Sequence, residues 1–322
     1  MIRAEIVKRN ADELMEICGM TANIERYAIN DGNGVRTTVF TKGCYLRCKW
    51  CSNPETQSFL PEMSFFPDKC IACMNCARFC PYGAIGEDLK ADRKICGECS
   101  LIEKSFPCTE KCYVKCRKVT GEKMSVREIY EVVKRDVPFY ERSDGGVTIS
   151  GGEPMAQPEF IYALVRVLTE RWIDTAIETC GYAEKEDYEK IVPYLNTVFM
   201  DIKHMNSEKH QVWTGMENVK ILNNIKYVDE LVGTYGNKLF IRVPVIPGFN
   251  DQLKEIEEIA HFVAGCRNIK GMELLPYHKL GRGKYYSLGR AYLLEDIVAP
   301  SAEHMAKLHG VLAEYDIPVY KF

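Results

Sequence analysis

Cysteine spacing is the feature that most restricts how this chain can fold. The sequence contains 15 cysteines among 322 residues, and eleven of them lie between Cys44 and Cys112. The odd total excludes a fully paired set of disulfides, and a chain of this length does not need disulfides to fold. Thiolates spaced two or three residues apart are typical metal ligands in a reducing compartment. We therefore expect metal clusters and a cytoplasmic location.

Composition and charge exclude several other classes of protein. Hydrophobic residues make up 46% of the chain and charged residues 27%, which is typical of a globular protein. The net charge of -3 gives no indication of binding to nucleic acid or to an anionic membrane. No apolar run reaches the roughly 18 residues that a membrane span needs, and residues 1–20 lack the apolar segment of a signal peptide. We expect neither nucleic acid nor a membrane as a partner.

Segments of strand and helix length alternate through most of the chain. The sequence predicts six strands in succession, with helices between the later ones, and the first of these helices opens with a capping box at Ser125 and Glu128. This order is typical of a parallel sheet built from right-handed βα units. Polar, glycine-rich segments follow the strands, so we expect an active site at the carboxyl edge of the sheet. The six predicted strands cover residues 35–41, 146–150, 174–179, 197–202, 238–245 and 271–276.

A change in composition divides the chain into three parts. Residues 59–118 are rich in Cys, Lys, Glu and Pro and lack long periodic segments, so we expect them to form an insert. The flanking residues 22–58 and 119–322 carry the βα pattern, preceded by one further strand at residues 23–30. Residues 1–21 are an N-terminal extension with no assigned structure.

The first group of cysteines forms a C-x3-C-x2-C motif made of Cys44, Cys48 and Cys51. Three thiolates from one loop can hold three irons of a [4Fe–4S] cube and leave the fourth iron open to a substrate. Zinc or free thiols are the alternative. Zinc usually takes four ligands, and a fourth is missing from this loop.

The insert carries two further cysteine runs. The run beginning at Cys70 has the C-x2-C-x2-C-x3-C-P pattern of bacterial ferredoxins, and the run beginning at Cys96 departs from it by widening one spacing to eight residues. In two-cluster ferredoxins the fourth cysteine of each run binds the other cluster. Zinc is the alternative for the second run. Exchange of the fourth cysteines assigns one cluster to Cys70, Cys73, Cys76 and Cys112, with Cys116 as an alternative to Cys112, and the other cluster to Cys80, Cys96, Cys99 and Cys108.

Three cysteines stand outside these motifs. Cys18, Cys180 and Cys266 have no cysteine partner nearby in the sequence. Lone cysteines are most often small, buried side chains. We predict a structural role for all three.

Three motifs together resemble the radical S-adenosylmethionine superfamily and, within it, the glycyl radical enzyme activating enzymes. They are the cysteine triplet with Trp50 before its last cysteine, the GVTISGGEP segment ending at Pro154, and the DGNGVRTT segment beginning at Asp31, where the family has Pro in place of Asn33. The resemblance covers nearly all of the chain after Asn23. It implies an α/β fold: a partial (β/α)6 TIM-like barrel with an inserted ferredoxin-like domain holding two [4Fe–4S] clusters.

The resemblance also implies a reaction and its partners. A reduced [4Fe–4S] cluster would cleave S-adenosylmethionine, and the resulting 5′-deoxyadenosyl radical would take a hydrogen from a glycine Cα of a partner glycyl radical enzyme. Three clusters would be present, and a flavodoxin- or ferredoxin-type protein would donate electrons. Candidate partners in the family include diol, choline and hydroxyproline lyases or dehydratases, arylacetate decarboxylases and alkylsuccinate synthases.

Residue roles follow from the same resemblance. Cys44, Cys48, Cys51, Lys203 and His278 would be catalytic, and in some family members the carboxylates equivalent to Glu178 and Asp201 hold a monovalent cation. As isolated residues, Lys203 and Arg242 would equally suit strand-end ion pairs, and His278 would suit a turn. The positions implied at the cofactor are Trp50, Ser52, Gly151, Gly152, Glu153, Glu178, Thr179, Asp201, Ile202, Lys203, His204, Arg242 and His278.

Two other classes of function remain open from the sequence. One is a different radical enzyme of the same superfamily, such as a peptide maturase with auxiliary clusters. Such maturases usually carry extra cysteines near the C-terminus, whereas the last cysteine here is Cys266. The other is an iron–sulfur electron carrier, which has no need of the SGGEP motif or of six polar strand ends.

Overall fold

A mixed sheet of eight strands forms the centre of the computed structural model, which describes Ile2, residues 4–102 and residues 106–322. The strands are β1 (Cys18–Ala28), β2 (Arg36–Thr41), β3 (Glu62–Phe65), β4 (Arg117–Thr120), β5 (Glu122–Ser125), β6 (Gly146–Gly151), β7 (Thr175–Thr179), β8 (Thr197–Asp201), β9 (Lys238–Val245) and β10 (Ile269–Pro276). The sheet order is β10-β9-β8-β7-β6-β2-β1-β5, and β3 pairs with β4 separately. Strands β2 and β6 to β10 are parallel, while β1 and β5 are antiparallel at one edge. The predicted α/β fold with a mostly parallel sheet is confirmed.

Helices connect the parallel strands. They are α1 (Ala4–Val7), α2 (Ala11–Leu14), α3 (Asn75–Arg78), α4 (Arg93–Ile102), α5 (Pro107–Glu110), α6 (Val126–Val133), α7 (Val137–Ser143), α8 (Pro158–Thr169), α9 (Lys185–Ile191), α10 (Ser207–Thr214), α11 (Val219–Tyr235), α12 (Leu253–Ala264), α13 (Arg282–Ser287) and α14 (Ala302–Glu314). The capping box of α6 is confirmed, because Ser125 Oγ accepts from Glu128 N–H and the Glu128 carboxylate accepts from Ser125 N–H. Among the helices of the described residues, none has the length and hydropathy needed to cross a membrane.

Strand periodicity places the functional side chains on one face of the sheet. In β9, Leu239, Ile241 and Val243 are fully buried in the main core. Phe240 and Arg242 alternate with them and therefore face the opposite side. The same alternation in β7 and β8 directs their carboxylates to that side. The face of the sheet that carries Phe240 and Arg242 is thus apolar near the amino ends of the strands and charged towards their carboxyl ends.

The N-terminal residues belong to the core, which the sequence did not predict. Ile6 and Leu14 are buried in the main apolar cluster. The backbone N–H of Ile2 donates to Asp187 Oδ1 at 2.8 Å, and Lys190 Nζ donates to the carbonyl of Ile2 at 2.9 Å. Strand β1 begins within the segment predicted as an extension, since its first residues pair with β5.

The segment between Phe59 and Lys118 has a small apolar cluster of its own. Met63, Ile85 and Phe106 are buried there together with several cysteines. Arg93, on α4, links this segment to α13, because its Nη2 donates to the carbonyl of Ser287 at 3.1 Å. The assignment of domain boundaries, including this insert, stays a prediction.

Candidate active site

A cavity of about 270 Å³ opens at the carboxyl ends of the parallel strands. The loop after β2 supplies one wall, and the ends of β6 to β10 supply the others. Most of the residues that the sequence assigned to the cofactor line this cavity. The lining residues are Cys44, Leu46, Cys48, Trp50, Cys51, Ser52, Asn53, Ser150, Gly151, Gly152, Glu178, Thr179, Cys180, Asp201, Lys203, Arg242, Pro244, Ile246, Leu275, Pro276, Tyr277 and His278.

Backbone hydrogen bonds hold the cysteine triplet against neighbouring loops. Cys44 N–H donates to the carbonyl of Gln57 at 3.1 Å, and Arg47 N–H donates to the carbonyl of Thr214 at 2.6 Å. The Arg47 guanidinium also donates to the carbonyl of Leu46 at 2.8 Å. These bonds fix the first half of the cysteine loop against the segments around Gln57 and Thr214.

Burial controls the protonation of the three thiols. It raises the pKa of Cys51 to about 11 and also raises the pKa of Cys48. A hydrogen bond with the Cys180 thiol lowers the pKa of Cys44. A metal ion or cluster bound by these thiols would have to displace protons from at least Cys48 and Cys51.

The glycines of the SGGEP segment are required by the contact between two loops. Gly151 has φ +107°, and a Cβ there would lie 2.5 Å from the backbone of Thr41. A Cβ on Gly152 would lie 2.4 Å from the carbonyl oxygen of Gly43. Only hydrogen fits at such distances. The two glycines thus let the second motif touch the cysteine loop.

Glu153 lies behind the cavity wall rather than in it. Its side chain is fully buried, and its carboxylate accepts hydrogen bonds from Thr179 Oγ1 at 2.7 Å, Met155 N–H at 2.9 Å and Cys180 N–H at 2.7 Å. Burial raises the pKa of this carboxyl despite these bonds. The structure therefore gives Glu153 the geometry of a loop anchor, and its contact with a cofactor stays a prediction.

Paired charges form the wall opposite the cysteines. Arg242 Nε donates to Glu273 at 2.9 Å, and its other side pairs with Glu178. Lys203 pairs with Asp201. Burial opposes the charge of both cations, but the neighbouring carboxylates outweigh it and raise the pKa of Lys203 and of Arg242. Both remain charged inside the cavity.

Of the remaining residues that were predicted to contact the cofactor, some line the cavity and others are buried in the core. Trp50 packs against Phe249 with ring centroids 5.1 Å apart, and Ser52 and His278 line the cavity near it. Ile202 is buried in the main core. His204 packs on the other side of Phe249 and does not line the cavity. Cofactor contacts of Ile202 and His204 stay predictions.

Two site residues escaped the sequence reasoning. Cys180 was assigned a purely structural role, yet it lines the cavity and its thiol hydrogen-bonds Cys44. Tyr285, on α13, packs in the apolar cluster that touches Cys48 and Cys51, and its buried hydroxyl has no hydrogen-bond partner among the described residues. Cys180 directly follows Glu178 and Thr179, which were both assigned to the cofactor, and this position could have marked it; no local pattern marks Tyr285.

The insert cysteines fall into two spatial groups. Cys112 Sγ lies 3.3 Å from Cys116 Sγ, and the Cys116 thiol also hydrogen-bonds Cys70. Cys76 is buried in the apolar cluster that also contains Cys99 and Cys108, and Cys73 is exposed. The second group lines a small closed cavity with an apolar rim, and its members are Cys80, Cys96, Cys99 and Cys108. In the described parts of the chain, no three acidic, His or Cys side chains converge at the spacing of a single metal ion.

Comparisons with known proteins bear on the same residues. The profile of the radical SAM superfamily matches residues 38–263. An isethionate sulfite-lyase activating enzyme from Desulfovibrio desulfuricans is 44% identical over 279 residues, covering 84% of this chain and 87% of the relative. A choline trimethylamine-lyase activating enzyme from Oleidesulfovibrio alaskensis is 37% identical, covering 95% and 98%. A 4-hydroxyphenylacetate decarboxylase activating enzyme from Clostridioides difficile is 38% identical, covering 94% and 95%.

Solved structures agree on the fold. A radical SAM methyltransferase from Sphaerobacter thermophilus superposes with a TM-score of 0.52 at 15% identity, covering 88% of this chain and 65% of that one. Likeness at this identity concerns the fold alone. The family profile spans more than half of the chain, and the relatives align over most of their length. This chain therefore belongs to the radical SAM superfamily and, within it, to the activating enzymes of glycyl radical enzymes.

Proposed function

We propose that Cys44, Cys48 and Cys51 hold the site-differentiated [4Fe–4S] cluster, and that S-adenosylmethionine binds beside it in the same cavity. When bound, the pair supplies a one-electron cleavage that ends in removal of a hydrogen atom from a glycine Cα of a partner protein. The observation that carries this proposal is the meeting of three thiols with Lys203 and Arg242 in one cavity. An electron carrier would need only the thiols.

The charges of the cavity fit a zwitterionic sulfonium. Lys203 would bind the carboxylate of the methionine moiety, while the carboxylates of Asp201 and Glu178 face its amine and sulfonium. Ser150 Oγ donates to Glu178 at 2.6 Å and orients that carboxylate. Glu178 and Asp201 are already paired with Arg242 and Lys203, so a monovalent cation between them would have to compete with these ion pairs.

An orphaned hydroxyl also fits a bound cluster. Tyr285 is only 7% exposed, and its hydroxyl has no partner among the described residues. Burial, and then the Cys51 and Cys48 thiols, raise its pKa, so it is a hydrogen-bond donor near those sulfurs. A buried donor without a partner costs free energy, and a cluster sulfur would satisfy it.

The convergence of the strand ends favours a partial (β/α)6 barrel. Strands β2 and β10 are five places apart in the parallel part of the sheet. At about 4.8 Å per place, a flat sheet would separate them by about 24 Å. Residues following both strands nevertheless line one cavity. Curvature of the sheet around the cavity accounts for this.

The two cysteine groups of the insert support two additional [4Fe–4S] clusters. One group gathers Cys70, Cys112 and Cys116, and the other surrounds an apolar cavity. The contacts of Cys116 with Cys70 and with Cys112 support the exchange of a fourth cysteine between the two runs that is expected of a two-cluster ferredoxin. Cys116 lies between Cys70 and Cys112, which makes it as well placed as Cys112 to be the fourth ligand of the first group.

The partner is proposed to be a glycyl radical lyase. Relatives named for isethionate sulfite-lyase reach 44% identity, against 37% for the one named for choline trimethylamine-lyase and 38% for the one named for 4-hydroxyphenylacetate decarboxylase. A sulfite-lyase that cleaves a carbon–sulfur bond is therefore the first partner to test, and the other two are the comparison.

Two experiments test the proposal. Reduced protein incubated with S-adenosylmethionine should produce 5′-deoxyadenosine, and Cys44→Ala should abolish the product with dithionite as reductant. Addition of each candidate lyase should then produce a glycyl radical signal in electron paramagnetic resonance, largest with the cognate lyase. Undiminished cleavage by the Cys44 variant would refute the assignment of the cluster.

A further inference from the structure

We propose that a basic surface around the first cysteine group of the insert is the docking site of a small acidic protein that donates one electron. This inference rests on the proposed function, because it assumes that the insert carries clusters. We call the surface the basic patch. Its members are Lys69, Arg78, Lys111, Lys115 and Lys118.

The basic patch lies beside cysteines of the first run of the insert, of which Cys73 is exposed and Cys70 is half-buried. Lys69 directly precedes Cys70, and Lys115 directly precedes Cys116. Lys69 and Lys118 both lie over the ring of Phe66, at 5.7 and 6.0 Å from its centroid. All five basic side chains therefore share one region of the surface, formed around the first cysteine group.

Apolar side chains are exposed in the middle of this charge. Tyr113 is 82% exposed, Ile71 is 64% exposed and Phe79 is 47% exposed. Lys111 lies 5.6 Å from the centre of the Phe79 ring, so apolar and basic groups are interleaved. An apolar centre with a charged rim is the usual composition of a protein-binding surface.

The positive charge of the basic patch favours a partner with negative charge. None of its five members forms an ion pair with another described residue, and only Asp68 and Glu110 oppose them as exposed acidic neighbours in the same segments. The whole chain carries a net charge of -3, so this surface is positive against a negative background. Such a surface attracts an acidic protein and speeds its association, most strongly at low ionic strength.

Contacts beyond the patch lead towards the active site. Cys96, of the second cysteine group, lies on the same helix α4 as Arg93. Arg93 binds the carbonyl of Ser287 at the end of α13. At the other end of α13, a Cβ on Gly281 would lie 2.8 Å from Ser52 Cα, next to the last cysteine of the triplet. These contacts connect α4, the helix that carries Cys96 and Cys99 of the second group, to the loop of the triplet through α13.

The electron balance of the proposed transfer is simple. The donor protein is oxidised by one electron, and one cluster of the insert is reduced by one. The electron then passes through the second group to the cluster at the triplet, where cleavage of S-adenosylmethionine consumes it. No proton or chemical group crosses the docking surface.

Charge reversal tests this docking surface. In Lys111→Glu/Lys118→Glu, we expect the rate of cluster reduction by a reduced, strongly acidic flavodoxin to fall about tenfold or more at low ionic strength. Bleaching of the cluster absorbance in stopped flow gives this rate, and the deficit should shrink as salt is added. Iron content must match the parent protein; if it falls, Lys111→Gln/Lys118→Gln replaces the variant and should give a smaller decrease of the same kind.

A matched control reverses the charge of two exposed lysines outside the basic patch. Lys254 and Lys307 are exposed lysines on α12 and α14, and Lys254→Glu/Lys307→Glu should leave the flavodoxin rate nearly unchanged. Equal slowing in both double variants, or no slowing in the patch variant, would overturn the proposal. Failure of the parent protein to accept electrons from flavodoxin would overturn it too. Formation of 5′-deoxyadenosine with dithionite tests the proposed function separately and should be unaffected by the patch variant.

Discussion

Replacement of Tyr285 by Phe should have opposite consequences before and after cluster loading. The buried hydroxyl of Tyr285 has no hydrogen-bond partner among the described residues, and Cys48 and Cys51 pack against the apolar cluster that contains Tyr285. An unsatisfied buried polar group costs about 1–3 kcal/mol. Tyr285→Phe removes that cost without leaving a cavity, since it deletes only one oxygen. The metal-free variant should therefore be more stable than its parent by about 1 kcal/mol or more.

The loaded protein should lose an interaction instead. If the hydroxyl donates to a cluster sulfur, its removal weakens the reduced, more negative cluster more than the oxidised one. A difference of about 1.4 kcal/mol corresponds to about 60 mV for a one-electron couple. The reduction potential of the triplet cluster should therefore become more negative by tens of millivolts on this scale.

Two measurements on the same pair of proteins decide the matter. Denaturant unfolding of the metal-free chains compares their midpoints, and a redox titration followed by electron paramagnetic resonance compares the loaded chains. The reasoning fails if the metal-free Phe variant is less stable than its parent, because the hydroxyl would then have had a partner. An unchanged potential would show that the hydroxyl does not reach the cluster.

Three further predictions follow from individual contacts. Cys180→Ser should keep full cluster iron and cleave S-adenosylmethionine, because the thiol neighbours Cys44 without being a ligand; loss of iron from that variant would identify a fourth ligand. Gly152→Ala should abolish cleavage while circular dichroism still shows a folded chain, since its Cβ would lie 2.4 Å from the Gly43 carbonyl and push the two loops apart. Burial lowers the pKa of His210 to about 4. Below about pH 6.5 the unfolded chain therefore binds a proton at His210, while the folded chain does not. Stability should consequently fall by up to about 3 kcal/mol between pH 6.5 and 4, and His210→Gln should remove this slope in denaturant titrations; an unchanged slope would contradict the assignment.

Much of the fold could be read from local sequence. The strand predicted at residues 238–245, a segment rich in β-branched and apolar residues, has its observed bounds, Lys238–Val245. The capping box at Ser125 predicted the start of α6 because both of its partners lie within four residues. Short helices such as α10 and α13 were missed, since they carry too few turns to show a helical period. The N-terminal segment was missed because its apolar residues find their partners on α8, far along the chain.

The sequence by itself determined the position of the cysteine triplet and the family of the protein. The three thiols of the C-x3-C-x2-C motif lie within eight residues, and a short loop brings them together whatever the rest of the chain does. The sequence likewise showed the two glycines of the second motif. It did not show why glycine is required there, which is the close contact with Gly43 and Thr41.

Tertiary structure alone decided which other side chains stand beside that loop. It turned Glu153 into the core, brought Cys180 to Cys44, and packed Tyr285 against the triplet from more than 230 residues further along the chain. These neighbours depend on the path of the chain between distant strands, and each pair is fixed by packing and burial across the whole sheet. The spacing of residues within a short segment does not depend on such contacts, so no sequence motif could have predicted them.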